Sequence, residues 1–184
     1  MKNNLGFTMT ELLAAVVILG ILMAMAIPSV AGLLTKQKNK MYVEDAIRLG
    51  QLAEKKMKSD NSILVPGTGK CIVMSLKYLD DGTFDSAPYG SEYDKDYSLV
   101  VIKRLDEYYK YGYYVRLVEK VGSNYRGINL IPIDNPGGGG DYLHMKNIKN
   151  KVSNYASFDV PSGDSFSAAP VGCGGIETGG RYYG

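Results

Sequence analysis

Glu11 is the last charged residue before Lys36, and the stretch between them is mostly apolar. A carboxylate at the edge of such a run is costly to bury and usually has a task, so its type and place predict that a cation meets it. Cys71 and Cys173 are the only cysteines, enough for one bridge or two thiols. The other candidates for chemistry fall away on spacing. His144 is the single histidine; Asp141 is near but no nucleophile motif is, so it reads as a surface residue. Two Cys and one His make no zinc cluster of the usual kinds. Pro66-Gly67-Thr68-Gly69-Lys70 matches the end of a phosphate-binding loop, but the full pattern requires Gly at 64 and Ser or Thr at 71, where the chain has Leu64 and Cys71. Asp80, Asp81, Gly82 and Asp85 lack the spacing of an EF-hand and read as a solvated turn, with a calcium site as the lesser alternative. No catalytic residue, metal set or cofactor is expected. The net charge of +2 is too mild for a dedicated nucleic-acid binder, so no nucleic-acid partner is expected either.

What must position Glu11 is the run that follows it. Of the 23 residues in 12–34, 19 are Ala, Val, Ile, Leu or Met; the others are Gly20, Pro28, Ser29 and Gly32. The 45% hydrophobic content of the 184 residues therefore hides an apolar rod joined to a lean, polar head. Residues 12–30 are enough to span a hydrocarbon core, since roughly 20 helical residues cover about 30 Å. A secretory signal peptide would have a shorter run and a better cleavage site than Met23-Ala24-Met25-Ala26. A plain anchor fits the length but explains neither Glu11 nor Pro28, which removes a helical hydrogen bond and is expected to kink the rod.

The first eleven residues add the missing context: one Lys and no acid, then Gly6-Phe7, then Thr8-Met9-Thr10-Glu11 against the apolar run. This string resembles the class III signal of type IV pilins and their relatives, the pseudopilins of type II secretion and the competence pilins. That family pattern is a leader ending in Gly, then Phe-Thr-x-x-Glu, then some twenty apolar residues with a Pro near the end. Gly6, Phe7, Thr8, Glu11 and Pro28 all fall in place; Met9-Thr10 stands where Leu-Ile or Leu-Val is commoner. The resemblance implies that a prepilin peptidase cuts between Gly6 and Phe7 in the cytoplasm and that the new amine of Phe7 is methylated. Lys2, ahead of the run, is consistent with a cytoplasmic leader. The Phe7 amine can then neutralise Glu11 of a neighbouring subunit and set the register between packed rods. The plainer alternative for Glu11 is a helix-end acid favoured by the N-terminal dipole.

Beyond the rod, Lys36, Lys38 and Lys40 form a basic collar. Tyr42, Ala46, Leu49, Ala53 and Met57 then recur at spacings of four, three, four and four, one face of a helix. Glu44 and Arg48 are spaced for an i,i+4 pair. A helix over 7–58, roughly 78 Å at 1.5 Å per residue, ends at Ser59-Asp60-Asn61. Residues 71–79 read as a strand or a short helix, and 85–96 as a loop. Strands are expected at 97–103, 111–121 and 126–133, the second with Tyr113, Val115 and Leu117 on one face and Tyr114, Arg116 and Val118 on the other. Short connections favour an antiparallel meander with the long helix across one face. The last third holds half of the 22 Gly, including 137–140, with a short amphipathic helix at 142–152 built on Met145, Ile148 and Val152. Of the 15 Tyr, Tyr108, Tyr109 and Tyr111 at a turn are the ones expected to be exposed; packing within the sheet explains most of the others.

The expected fold class is α+β, a pilin-like fold with a long N-terminal helix packed on a small antiparallel sheet. The expected organisation is a leader at 1–6, a transmembrane and filament-core helix at 7–34, and an extracellular head at 35–184. Within the head, the helix continues over 35–58, a connecting loop fills 59–96, the sheet 97–133 and a Gly-rich region 134–184. An outward-facing head favours a Cys71–Cys173 bridge, as pilins often staple a C-terminal loop; two unpaired thiols are the alternative in a host that forms few extracellular disulfides. The resemblance implies a single-pass bacterial membrane protein that polymerises with its own copies or other pilins. Its partners are prepilin peptidase and an inner-membrane platform with its ATPase. The alternatives are a secretion or competence pseudopilin and, from another class, a membrane-anchored extracellular binding module that never polymerises.

Overall fold

The computed structural model describes residues 7–135, 141–144, 148, 151–158, 171–173 and 182–184. Two compact units divide the chain, Met1–Gln37 and Lys38–Gly184. The first helix, α1 (Met9–Ser59), runs through both and continues unbroken through position 28. In the first unit every described side chain is exposed, the large aliphatic ones included. Among the described residues α1 is the helix long and apolar enough to cross a membrane.

In the second unit the predicted stripe is the buried one: Tyr42, Ala46, Leu49 and Ala53 are inaccessible to solvent, with Val43 beside them and Met57 packed at the edge. They cover one face of a six-stranded sheet built from β1 (Cys71–Ser75), β2 (Leu99–Arg104), β3 (Tyr111–Val121), β4 (Asn124–Pro132), β5 (Ser153–Tyr155) and β6 (Tyr182–Tyr183). The strand order is β5-β4-β3-β2-β1-β6. A one-turn helix, α2 (Leu76–Leu79), follows β1, capped by Ser75, whose hydroxyl accepts from Tyr78 N. The stretch 71–79 is thus strand and helix in succession.

Alternation sorts the core. Ile72, Met74, Val100, Ile102, Tyr113, Val115, Leu117 and Ile128 face α1. Cys71, Val73, Leu99, Val101 and Leu130 face the other side, under Val171, with Cys173, Tyr114 and Tyr182 at its edge. Because both faces are covered, β1 and the start of β2 carry apolar residues at successive positions.

The structure departs from the sequence reading in the sheet, in 141–152 and at Arg48. β6 adds to β1 in parallel, so the sheet is mixed rather than wholly antiparallel. Strands β1, β5 and β6 lie outside 97–133, because the chain before and after the meander supplies both sheet edges. The described residues in 141–152 are not assigned to a helix: Leu143 N donates to Pro132 O, Lys151 N closes a turn on Ile148 O, and Leu143 and Ile148 are buried in the core. The positions 145–147, 149–150 and the Gly run 137–140 lie outside the described residues. Arg48 leaves Glu44, donating to Thr83 O at 3.2 Å and lying over the Phe84 ring, while Glu44 pairs with Lys40 at 3.8 Å.

Two glycines are required by close approach. A side chain at Gly50 would meet Ile133 Cγ2 at 2.4 Å, so this glycine lets α1 lie close on the sheet. Gly127 sits at φ +155°, opposite Val118 and beside the register shift between Val115 and Leu117. A methyl there would lie 2.1 Å from Leu117 O, a backbone atom that cannot swing aside. Gly127→Ala is therefore expected to combine backbone strain with overpacking and destabilise the head by about 3 kcal/mol. Thermal unfolding followed by circular dichroism should show a Tm roughly 10 °C lower. An unchanged Tm would mean that the bulge relaxes freely.

Candidate functional site

The N-terminal segment holds the residues singled out for chemistry. Gly6 and the rest of 1–6 lie outside the described residues, as does the side chain of Pro28. Phe7 is exposed, and Thr8 and Glu11 flank the first turn of α1. Thr8 N and Thr8 Oγ1 both donate to Glu11 Oε2 at 2.9 Å, and Glu11 N donates back to Thr8 Oγ1 at 3.3 Å. Leu12 N closes the turn on Thr8 O at 3.1 Å. This reciprocal pair is a capping box, which satisfies otherwise orphaned donors at the helix start. The sequence signal for it, Thr-x-x-Glu directly before an apolar run, is present at 8–11 but was masked by the more specific processing motif occupying the same residues.

The geometry splits the Glu11 carboxylate. Oε2 is held by Thr8, while Oε1 takes no partner among the described residues. A carboxylate fixed in orientation by its own helix, with one oxygen open, can accept a cation from another molecule without giving up its cap. Around it stand Met9, Leu12, Leu13, Val16 and Val17, all exposed. Such a surface is stable in water only when something apolar covers it.

In the head, the acidic turn after α2 is tied to its own neighbours. Asp80 accepts from Lys95 Nζ at 2.6 Å, which holds its carboxyl below the usual carboxylate range and raises Lys95. Asp81 turns onto Thr83, so the acidic turn is closed on itself. Among the described residues no group of three or more His, Cys, Asp or Glu is placed to hold a metal ion. His144 stacks against Tyr142. Cys71 and Cys173 are bridged, with Cα atoms 5.8 Å apart across 102 positions. Tyr108 and Tyr109 are 92% and 63% exposed, as the turn reading expects, whereas Tyr111 is half-buried.

One tertiary cluster had no signal in the sequence. Tyr42 donates to Arg126 O at 2.9 Å, and Tyr93 donates to Asp45 Oδ2 at 2.7 Å. Burial pushes both phenols up, and the Glu119 charge raises Tyr42 further; burial also raises Asp45 against the Tyr93 hydrogen bond. Glu119 is fully buried there, and neither carboxylate oxygen has a hydrogen-bond partner among the described residues. These residues come from α1, the loop before β2, β3 and β4, so no local spacing announces them.

A family model described as the prokaryotic N-terminal methylation motif matches residues 1–27. These residues carry the class III signal found in type IV pilins and pseudopilins. No curated protein matches the chain, and no solved structure matches it.

Proposed function

We propose that the protein is a structural subunit of a type IV pilus or pilus-like filament. The observation that carries this reading is the class III signal joined to a helix whose described side chains up to Gln37 are all exposed. In this reading prepilin peptidase removes 1–6 between Gly6 and Phe7, and the Phe7 amine is methylated. The chain waits in the bacterial membrane as a single-pass protein with its head outside. An assembly platform and ATPase supplied by other proteins then move it into a filament.

The work is done by packing rather than by bond making. Each buried Leu, Ile, Val or Met side chain contributes about 1.5–3 kcal/mol when withdrawn from water. Between membrane and filament that gain largely cancels, because lipid tails are as apolar as a neighbouring rod. What distinguishes the two states is the charge at the rod's start. Glu11 Oε1 is the open acceptor, and the Phe7 amine of a neighbour is the cation that the cut creates.

The test is mass spectrometry of the N-terminus in sheared surface material. A chain beginning with N-methylated Phe7 in fibres is the expected result. Methylated Phe7 confined to membranes, with no fibres, would assign a secretion or competence pseudopilin instead. A mature chain beginning at Met1 would overturn the reading and favour an inert anchor.

A further inference from the structure

Two cations share one aromatic ring at the end of the head that carries Lys38. Lys38 Nζ lies 5.1 Å from the centroid of Tyr89, and the Arg126 guanidinium lies 4.3 Å from the same centroid. The ring is fixed, because its hydroxyl donates to Asn39 Oδ1 at 2.6 Å. Arg126 faces Glu119 across the β3–β4 ladder, but Nη1 and Oε1 are 4.0 Å apart, too far for a hydrogen bond. No acceptor among the described residues takes a hydrogen from the guanidinium. The Arg126 side chain keeps 26% of its exposure while that of Glu119 keeps none. The donors of a partly exposed guanidinium thus lack an acceptor among the described residues, beside a lysine, and Lys38, Arg126 and Glu119 sum to +1.

That arrangement fits a phosphodiester. Its single negative charge balances the cluster, and the planar fork of arginine matches its oxygens. Position along the chain identifies the source. Lys38 follows the end of the apolar run at Leu34 by four residues, about 6 Å of helix. If the run spans the bilayer, Lys38 stands at headgroup level. The collar also has a physical problem that such a ligand solves. Lys36, Lys38 and Lys40 stand on the side proposed to face outward, where positive charge is disfavoured. Anionic headgroups would offset it.

We propose that Lys38, Tyr89 and Arg126 bind the phosphate of an anionic phospholipid and so seat the base of the head on the membrane before assembly. This rests on the membrane-spanning reading of the rod. Full-length protein is reconstituted with phosphatidylcholine and phosphatidylglycerol, taken into mild detergent, and its bound lipid counted by native mass spectrometry. One retained phosphatidylglycerol is expected. Lys38→Gln and Arg126→Gln should each weaken retention about fivefold, and Lys55→Gln, a lysine outside the cluster, should not. If Arg126→Gln fails to fold, Arg126→Lys keeps the charge without the fork and should still weaken retention. Equal retention by Lys38→Gln and Lys55→Gln overturns the proposal, as does displacement of the lipid by millimolar inorganic phosphate. Carbonate extraction separates the two levels. A chain that washes off vesicles sinks the membrane reading itself, whereas a chain that stays with unchanged lipid retention sinks the headgroup site alone.

Discussion

Glu11→Ala is expected to abolish surface fibres while leaving leader removal and membrane retention intact. If the rods bundle as proposed, the Phe7 amine of one subunit would be buried, and removing the carboxylate proposed to meet it would leave an unpaired charge. Breaking a buried pair in this way costs about 3–5 kcal/mol. At 3 kcal/mol the subunit's preference for the filament falls by roughly a hundredfold or more. The capping box supplies a rival explanation, because Ala also removes the acceptor for Thr8 N and Thr8 Oγ1. Loss of a cap costs only about 1 kcal/mol. Glu11→Gln separates the two, since Gln serves in a capping box but carries no charge. Quantifying sheared fibres should show Gln as deficient as Ala. Fibres at the normal level from Gln would mean that Glu11 serves as a cap alone.

The order of these effects follows from what the sequence made legible. The rod was readable because its signals are local: a charge gap, a run of aliphatic residues and a motif within eleven positions. The α1 stripe and the two faces of β3 were readable for the same reason, through periods of 3.6 and 2. The capping box was just as local, yet one string of residues was serving two purposes. Distance in sequence hid the rest. β6 meets β1 in parallel across more than a hundred residues, and nothing in Tyr182 or Tyr183 states that register. Gly127 is one glycine among 22 until the ladder places Leu117 O over it. Arg126, Glu119, Tyr89 and Lys38 come together only after the loop before β2 folds back under α1.

Replacing Cys71 and Cys173 together by Ala is expected to lower head stability by about 4–5 kcal/mol. The chain-entropy argument gives that size for a closed loop of about a hundred residues, and the observed separation is 102. Structure says what the loop closure protects. Cys71 opens β1 and is fully buried, and its bridge brings the segment around Val171 onto the sheet face opposite α1. That segment has a second tie. Lys103, the ladder partner of Cys71, donates through Nζ to Val171 O at 3.0 Å and Gly172 O at 2.7 Å. Both fastenings therefore act at one spot, and once the sulfurs are gone the ammonium and the packing of Val171 are the ties left among the described residues. The cover over Val73, Leu99 and Val101 then loosens, exposing apolar residues that α1 cannot reach. Thermal unfolding of the full chain in detergent should show a Tm roughly 10–15 °C lower. Lys103→Met should deepen the loss in the bridge-free protein more than in the bridged one, because only there does the ammonium act without the bridge. Equal effects of Lys103→Met in both backgrounds would show that the two ties act independently.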